Sequence, residues 1–203
     1  MRKILPYLLL AAVLYSCNTN QDISQTNQET QPEEFKYVTE QFADLKIIRY
    51  KIPGFDKLSL KQKKFVYYLT QAGLSGRDII YDQNYRHNLT IRTALENVIK
   101  NFSGDKSSSD WKQFLTYAKR VWFANGIHHH YGMQKFIPEF SQEYFNSLLN
   151  ATDTELSPEI IDVIFDPSID AKKVNLDVSK GLLIGSATNF YDPDITEAEV
   201  DAY

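Results

Sequence analysis

Apolar residues fall into three kinds of run along this chain. Ile4 to Leu14 is an almost unbroken apolar stretch behind Arg2 and Lys3. Leu45 to Pro53, with Ile47, Ile48, Tyr50 and Ile52, reads as a short strand stopped by Pro53-Gly54. From there the spacing turns helical. Leu60, Lys64, Tyr67 and Tyr68 define a helix capped by Ser59, with Gly73 near its end. Ile79, Ile80, Leu89, Leu95, Val98 and Ile99 predict one long helix over 75–102. Trp111, Leu115, Ala118 and Trp122 predict another. Two shorter helices follow, over 140–152 and 156–166; in the second, Ser157 is the cap and Pro158 the first helical residue. Thr196 and Glu199 form a capping box near the end. The expected class is α+β, helix-dominated, without internal repeats.

The first run is too short to cross a hydrocarbon layer of about 30 Å, and suits a secretory signal peptide over 1–16. It ends in "LYSC", which resembles a bacterial lipobox, with Cys17 as the lipid-attachment residue; Tyr15 is bulkier than usual there. Cys17 is the only cysteine, so no intrachain disulfide can form. Residues 17–34 are polar and rich in Gln, Asn and Thr, which predicts a flexible tether ahead of a folded region at 35–203. A lipoprotein of the bacterial envelope is expected, at the outer membrane facing the periplasm. The closing capping box leaves too few residues for a full helix, so the chain reads as the front of a longer one.

The net charge is -4 and 43% of the residues are hydrophobic. No Lys/Arg-rich stripe offers to neutralise phosphates, which argues against nucleic acid. Three of the four histidines stand together, in "GIHHHYG". Zinc needs ligands that converge, and adjacent residues do not: a strand turns His129 away from His128 and His130, and a helix fans the three through about 200°. No His-Glu pair exists for a helical metallopeptidase motif. The triplet therefore reads as a loop whose imidazoles bond backbone or line a pocket, with Gly126 and Gly132 supplying positive φ at its two ends. Lys135 could pair an anionic substrate group or sit in solvent. Asp78, Asp82 and Tyr85 share a helical face, which suits acid/base chemistry or a polar network. The tripeptides at Asn88, Asn101 and Asn150 match the glycosylation pattern by chance.

Three stretches resemble one family. "FANGIHHHYGMQKFIPEF" (123–140), "AGLSGRDIIYDQNYRHNLTIR" (72–92) and "SATNFYDPDITEAEVDAY" (186–203) are similar, in that family's order, to bacterial dipeptidyl peptidase III. The resemblance spans about 35–203. It implies a two-lobed zinc exopeptidase that releases dipeptides from peptide N-termini, with a helical zinc lobe and a mixed α/β lobe that holds the peptide as an added strand. The family's His-Glu-x-x-Gly-His and Glu-Glu-x-x-Ala-Glu/Asp motifs do not occur here, and the only Glu-Glu pair, Glu33-Glu34, continues differently. The chain thus resembles the N-terminal part of the non-zinc lobe. It carries over no catalytic or metal residue, and zinc and a peptide substrate belong to the full-length parent. Asn125, Gly126, His128, His129, His130, Tyr131 and Lys135 are the candidate substrate-binding residues. The chain alone is expected to be inactive, to fold marginally and to leave an apolar face bare. Two alternatives remain: a stand-alone peptide- or ligand-binding lipoprotein, and a self-contained hydrolase using Asp78/Asp82 or the histidine loop.

Overall fold

The computed structural model describes residues 34–192 and 194–203. The expected signal peptide, the expected lipid-attachment residue Cys17 and nearly all of the expected tether lie outside the described residues. From Tyr37 onward the chain forms one compact unit. It is α+β and helix-dominated, with strands β1 (Val38–Phe42) and β2 (Leu45–Ile48) followed by α1 (Leu60–Ser75), α2 (Arg77–Asn84), α3 (Asn88–Asn101), α4 (Ser109–Ala124), α5 (Gln142–Ala151), α6 (Pro158–Phe165) and α7 (Glu197–Asp201).

Most helix starts follow from one hydroxyl each. Ser59, Ser108, Ser141, Ser157 and Thr196 each accept a hydrogen bond from the backbone N–H three residues on, satisfying a donor that the first turn leaves bare. Ser59–Gln62 and Thr196–Glu199 close reciprocal capping boxes. The core lies where the apolar faces of α3 to α6 meet. Ile91, Leu95 and Val98 come from α3, Phe114, Ala118 and Val121 from α4, Phe145, Leu148 and Leu149 from α5, and Ile160, Val163 and Ile164 from α6. The face of α4 is rotated from the predicted one, because Phe114, Tyr117 and Val121 go inside while Leu115 and Trp122 stay half-buried. Phe140, in the loop before α5, is the aromatic hub. Its ring centroid lies 5.6 Å from Phe114, 5.8 Å from Tyr117 and 5.8 Å from Phe165.

Three sequence expectations are corrected. The long helix expected over 75–102 is two helices, since Tyr85 is extended (φ -172, ψ 136) and interrupts the run. No Gly or Pro marks this break; tertiary bonds described below hold it. Ile79 and Ile80, placed on the apolar face, are exposed, and Tyr81 is buried in their stead. The strand ends at Ile48 and pairs antiparallel with β1, which the apolar pattern did not reveal. Ala43 turns the hairpin at φ 46, a left-handed value that the tight connection requires.

The hairpin meets the helical body mainly through charge. Glu40 pairs with Lys119, and Asp44 lies 3.1 Å from the Arg120 guanidinium and 3.9 Å from His129 Nε2. Phe42 sits under the Lys119 ammonium. Each such exposed pair contributes about 0–1 kcal/mol and is screened by salt. Raising NaCl to molar levels should therefore speed amide exchange in 38–48 while leaving α3 and α4 protected. Hydrogen exchange read by mass spectrometry checks this, and equal protection at low and high salt would contradict it.

Candidate functional site

The histidine loop is built on the junction between α4 and the α2–α3 break. Asn125 closes α4 in the left-handed region (φ 53, ψ 44), and Gly126 follows at φ 148. The Asn125 carbonyl accepts from the side-chain amides of Asn84 (3.0 Å) and Asn88 (3.5 Å). Asn88 is fully buried, donates to the Tyr81 carbonyl at 3.0 Å, and accepts from the Ile127 N–H at 3.1 Å. A Cβ on Gly126 would overlap that amide, so glycine is required by close approach as well as by φ. The buried position of Asn88 also removes it as a glycan acceptor.

Beyond the glycine the backbone forms an irregular ladder. His128 bridges Lys135 antiparallel, and Gln134 bridges Lys172. Lys173 N–H donates to the Met133 carbonyl at 2.8 Å, and Thr188 N–H to the Lys173 carbonyl at 3.0 Å. The outer segment is tied back to α2, where the Gln83 carbonyl accepts from Thr188 Oγ1 (2.9 Å) and Asn189 N–H (3.0 Å). At the tip the left-handed residue is Met133 (φ 63), not Gly132 as the glycine pattern predicts.

The three imidazoles have three different environments. His128 is buried, and its Nε2 lies 2.8 Å from the Asp170 carbonyl. Burial pulls its pKa down to about 4, so the ring is neutral near pH 7 with its proton on Nε2, facing that carbonyl. His128 Nδ1 is buried without a hydrogen-bond partner. His129 is half-buried, and its Nδ1 accepts from the N–H groups of Tyr131 (3.1 Å) and Gly132 (2.9 Å), which closes the tip. His130 stacks on His129 at 4.6 Å, and Tyr131 is the most exposed residue of the loop. A zinc ion needs lone pairs aimed at one point. Here one imidazole faces a backbone carbonyl, the next spends a nitrogen on two amides, and the third stacks on it. The triplet does not fit zinc. Among the described residues no group of three or more His, Cys, Asp or Glu could hold a metal ion.

Lys135 neither faces solvent nor waits for an anion. Its ammonium is buried and donates to the carbonyls of Val163 (2.7 Å), Asp166 (2.6 Å) and Ile169, closing the C-terminal end of α6. Burial lowers its pKa from the ordinary lysine value. The Asp78/Asp82/Tyr85 face is likewise not assembled. Asp78 pairs with Arg92 (2.5 Å), Asp82 is exposed, and Tyr85 lies beyond the end of α2. Tyr85 Oη donates to Asp170 Oδ2 at 2.5 Å, and its ring packs edge-on against His128 at 5.4 Å. Burial first, and the Asp170 hydrogen bond second, raise its pKa far above the usual phenol value.

Asp170, Asn88, Gln83 and Thr188 organise this region, and sequence reasoning singled out none of them for that role. No run or motif marks Asp170, and the amide at position 88 gives no hint that it is buried. Of the candidate binding residues, His129, His130 and Tyr131 reach the surface together, while Gly126, His128 and Lys135 are buried. No family model and no curated protein matches this chain.

Two outcomes follow. Folded His128 resists protonation down to about pH 4, whereas the unfolded ring titrates near 6.5. Acidification between these values favours the unfolded chain, by about 3 kcal/mol in full. Urea melts of His128→Gln, which keeps a donor to Asp170, should lose this part of the acid sensitivity; an unchanged slope against pH would refute the assignment. Lys135→Met strands three carbonyls and should cost about 3 kcal/mol of stability. A variant as stable as the parent, altered only in ligand affinity, would return Lys135 to a binding role.

Proposed function

We propose that this chain supplies part of the peptide-holding, non-zinc lobe of a dipeptidyl peptidase III-like exopeptidase of the bacterial envelope, tethered through lipid on Cys17. What supports the reading is the convergence of the three stretches that carry the resemblance. Gln83 and Asn88 from the first, Asn125 to Phe136 from the second and Thr188-Asn189 from the third share one hydrogen-bonded unit, although Gln83 and Thr188 lie 105 positions apart. That unit is a backbone ladder, the kind of element to which an extended peptide adds as a strand. His129, His130 and Tyr131 form an aromatic, polar tip beside it, suited to contact with a peptide.

In this reading the chain binds and orients, and does no chemistry alone. Zinc in the parent enzyme activates the attacking water, and the ligand motifs for it are absent from these 203 residues. The purified chain should show no dipeptide release from short peptides, with or without added zinc. A longer polypeptide that joins this chain to a lobe carrying the family's zinc motifs should show chelator-sensitive release. Chelator-sensitive turnover by the 203-residue chain itself would overturn the proposal. Peptide binding without turnover by either polypeptide would replace it with a stand-alone binding lipoprotein.

A further inference from the structure

Charge is divided sharply along the folded chain. Residues 45–75 hold seven Lys/Arg against one Asp, a net of +6, while residues 76–203 hold twelve Lys/Arg against nineteen Asp/Glu, a net of -7. The basic stretch contains α1, which has no buried residue. Leu60, Phe65, Tyr67, Tyr68 and Leu69 are each 59–68% exposed, and Lys61, Lys63 and Lys64 stand among them. At 100° per residue these five cover about 200° of the circumference, and Val66 and Leu74, also exposed, fall in the remaining arc, so apolar side chains surround the helix rather than forming one stripe. A helix apolar right round is covered on several sides, which a groove achieves and a flat surface does not.

The acidic part offers such a groove. Residues 175–182, Ile184, Glu197, Val200 and Asp201 line an open cavity of about 510 Å³. Its apolar wall includes Leu176, Val178 and Ile184, which are 81%, 90% and 85% exposed. Asp177, Glu197 and Asp201 supply negative charge around it, against Lys180 as the one basic lining residue. α1 contributes nothing to this lining in its own chain.

We infer that α1 of one chain docks in the 175–201 groove of a second copy, and that the second copy returns the contact. Each chain carries one basic apolar helix and one acidic apolar groove, so a two-fold pair satisfies both at once. The three lysines of α1 meet the carboxylates of the groove, and the aromatic residues between them cover Leu176, Val178 and Ile184. An anionic bilayer would match the lysines but would touch one side of α1 and leave the groove bare. This inference goes beyond the peptidase reading and does not depend on it.

Sedimentation of the full chain at micromolar concentration tests it, with a charge exchange as the deciding step. The wild-type chain should be dimeric in low salt and dissociate as salt rises. A helix variant (Lys61→Glu, Lys63→Glu, Lys64→Glu) and a groove variant (Val178→Lys, Asp201→Lys), all at exposed positions, should each be monomeric alone. Mixed, they should form a heterodimer, because each altered helix and groove then meets a partner of opposite charge. A monomeric wild-type chain would overturn the inference, as would single variants that dimerise like wild type or a mixture that stays monomeric. Binding of a monomeric wild-type chain to phosphatidylglycerol vesicles, lost in the helix variant, would assign the surface to lipid instead.

Discussion

A side-chain amide sealed from water must find its hydrogen bonds inside the protein, and the placement of Asn88 depends on that requirement. Each unsatisfied polar group of this kind costs about 1–3 kcal/mol. Asn88 meets the requirement by reaching two other elements: the Tyr81 carbonyl in α2, and the Asn125 carbonyl and Ile127 N–H after α4. The bend between α2 and α3, the end of α4 and the start of the histidine loop are therefore one construction. Gly126 belongs to it because any larger residue would displace the amide.

The same logic governs the polar groups around it. Lys135 gathers the carbonyls that α6 leaves bare, and so joins the loop to that helix. Tyr85 leaves the helical path to reach Asp170, whose carbonyl also meets His128. Three residues that look like chemistry in the sequence are thus spent on architecture. His129, His130 and Tyr131 remain at the surface, where the proposed peptide contact would need them. The bonds that His129 Nδ1 accepts from Tyr131 and Gly132 restrict the motion of this tip.

Charge works on a larger scale. Glu40 and Asp44 hold the hairpin to the basic edge of α4, so the sheet is attached by interactions that water and salt weaken. The adjoining basic segment and the acidic groove near the C-terminal end leave apolar side chains uncovered within this chain. Such surface is stable in water when a complementary face covers it.

What the sequence alone determined was local. The caps at Ser59, Ser157 and Thr196 were legible because a cap needs only a hydroxyl and the N–H three residues on. The helix-dominated α+β class was legible because helical periodicity repeats within a single turn or two. Tertiary structure decided the rest. The break at Tyr85 depends on Asp170, 85 positions away, and the burial of Lys135 depends on carbonyls 28 to 34 positions on. The pairing of β1 depends on a left-handed turn at Ala43, a residue type that does not announce one. At Tyr85 and Lys135 a polar group is stabilised by a distant partner, and the free energy of that contact does not exist until the chain has folded.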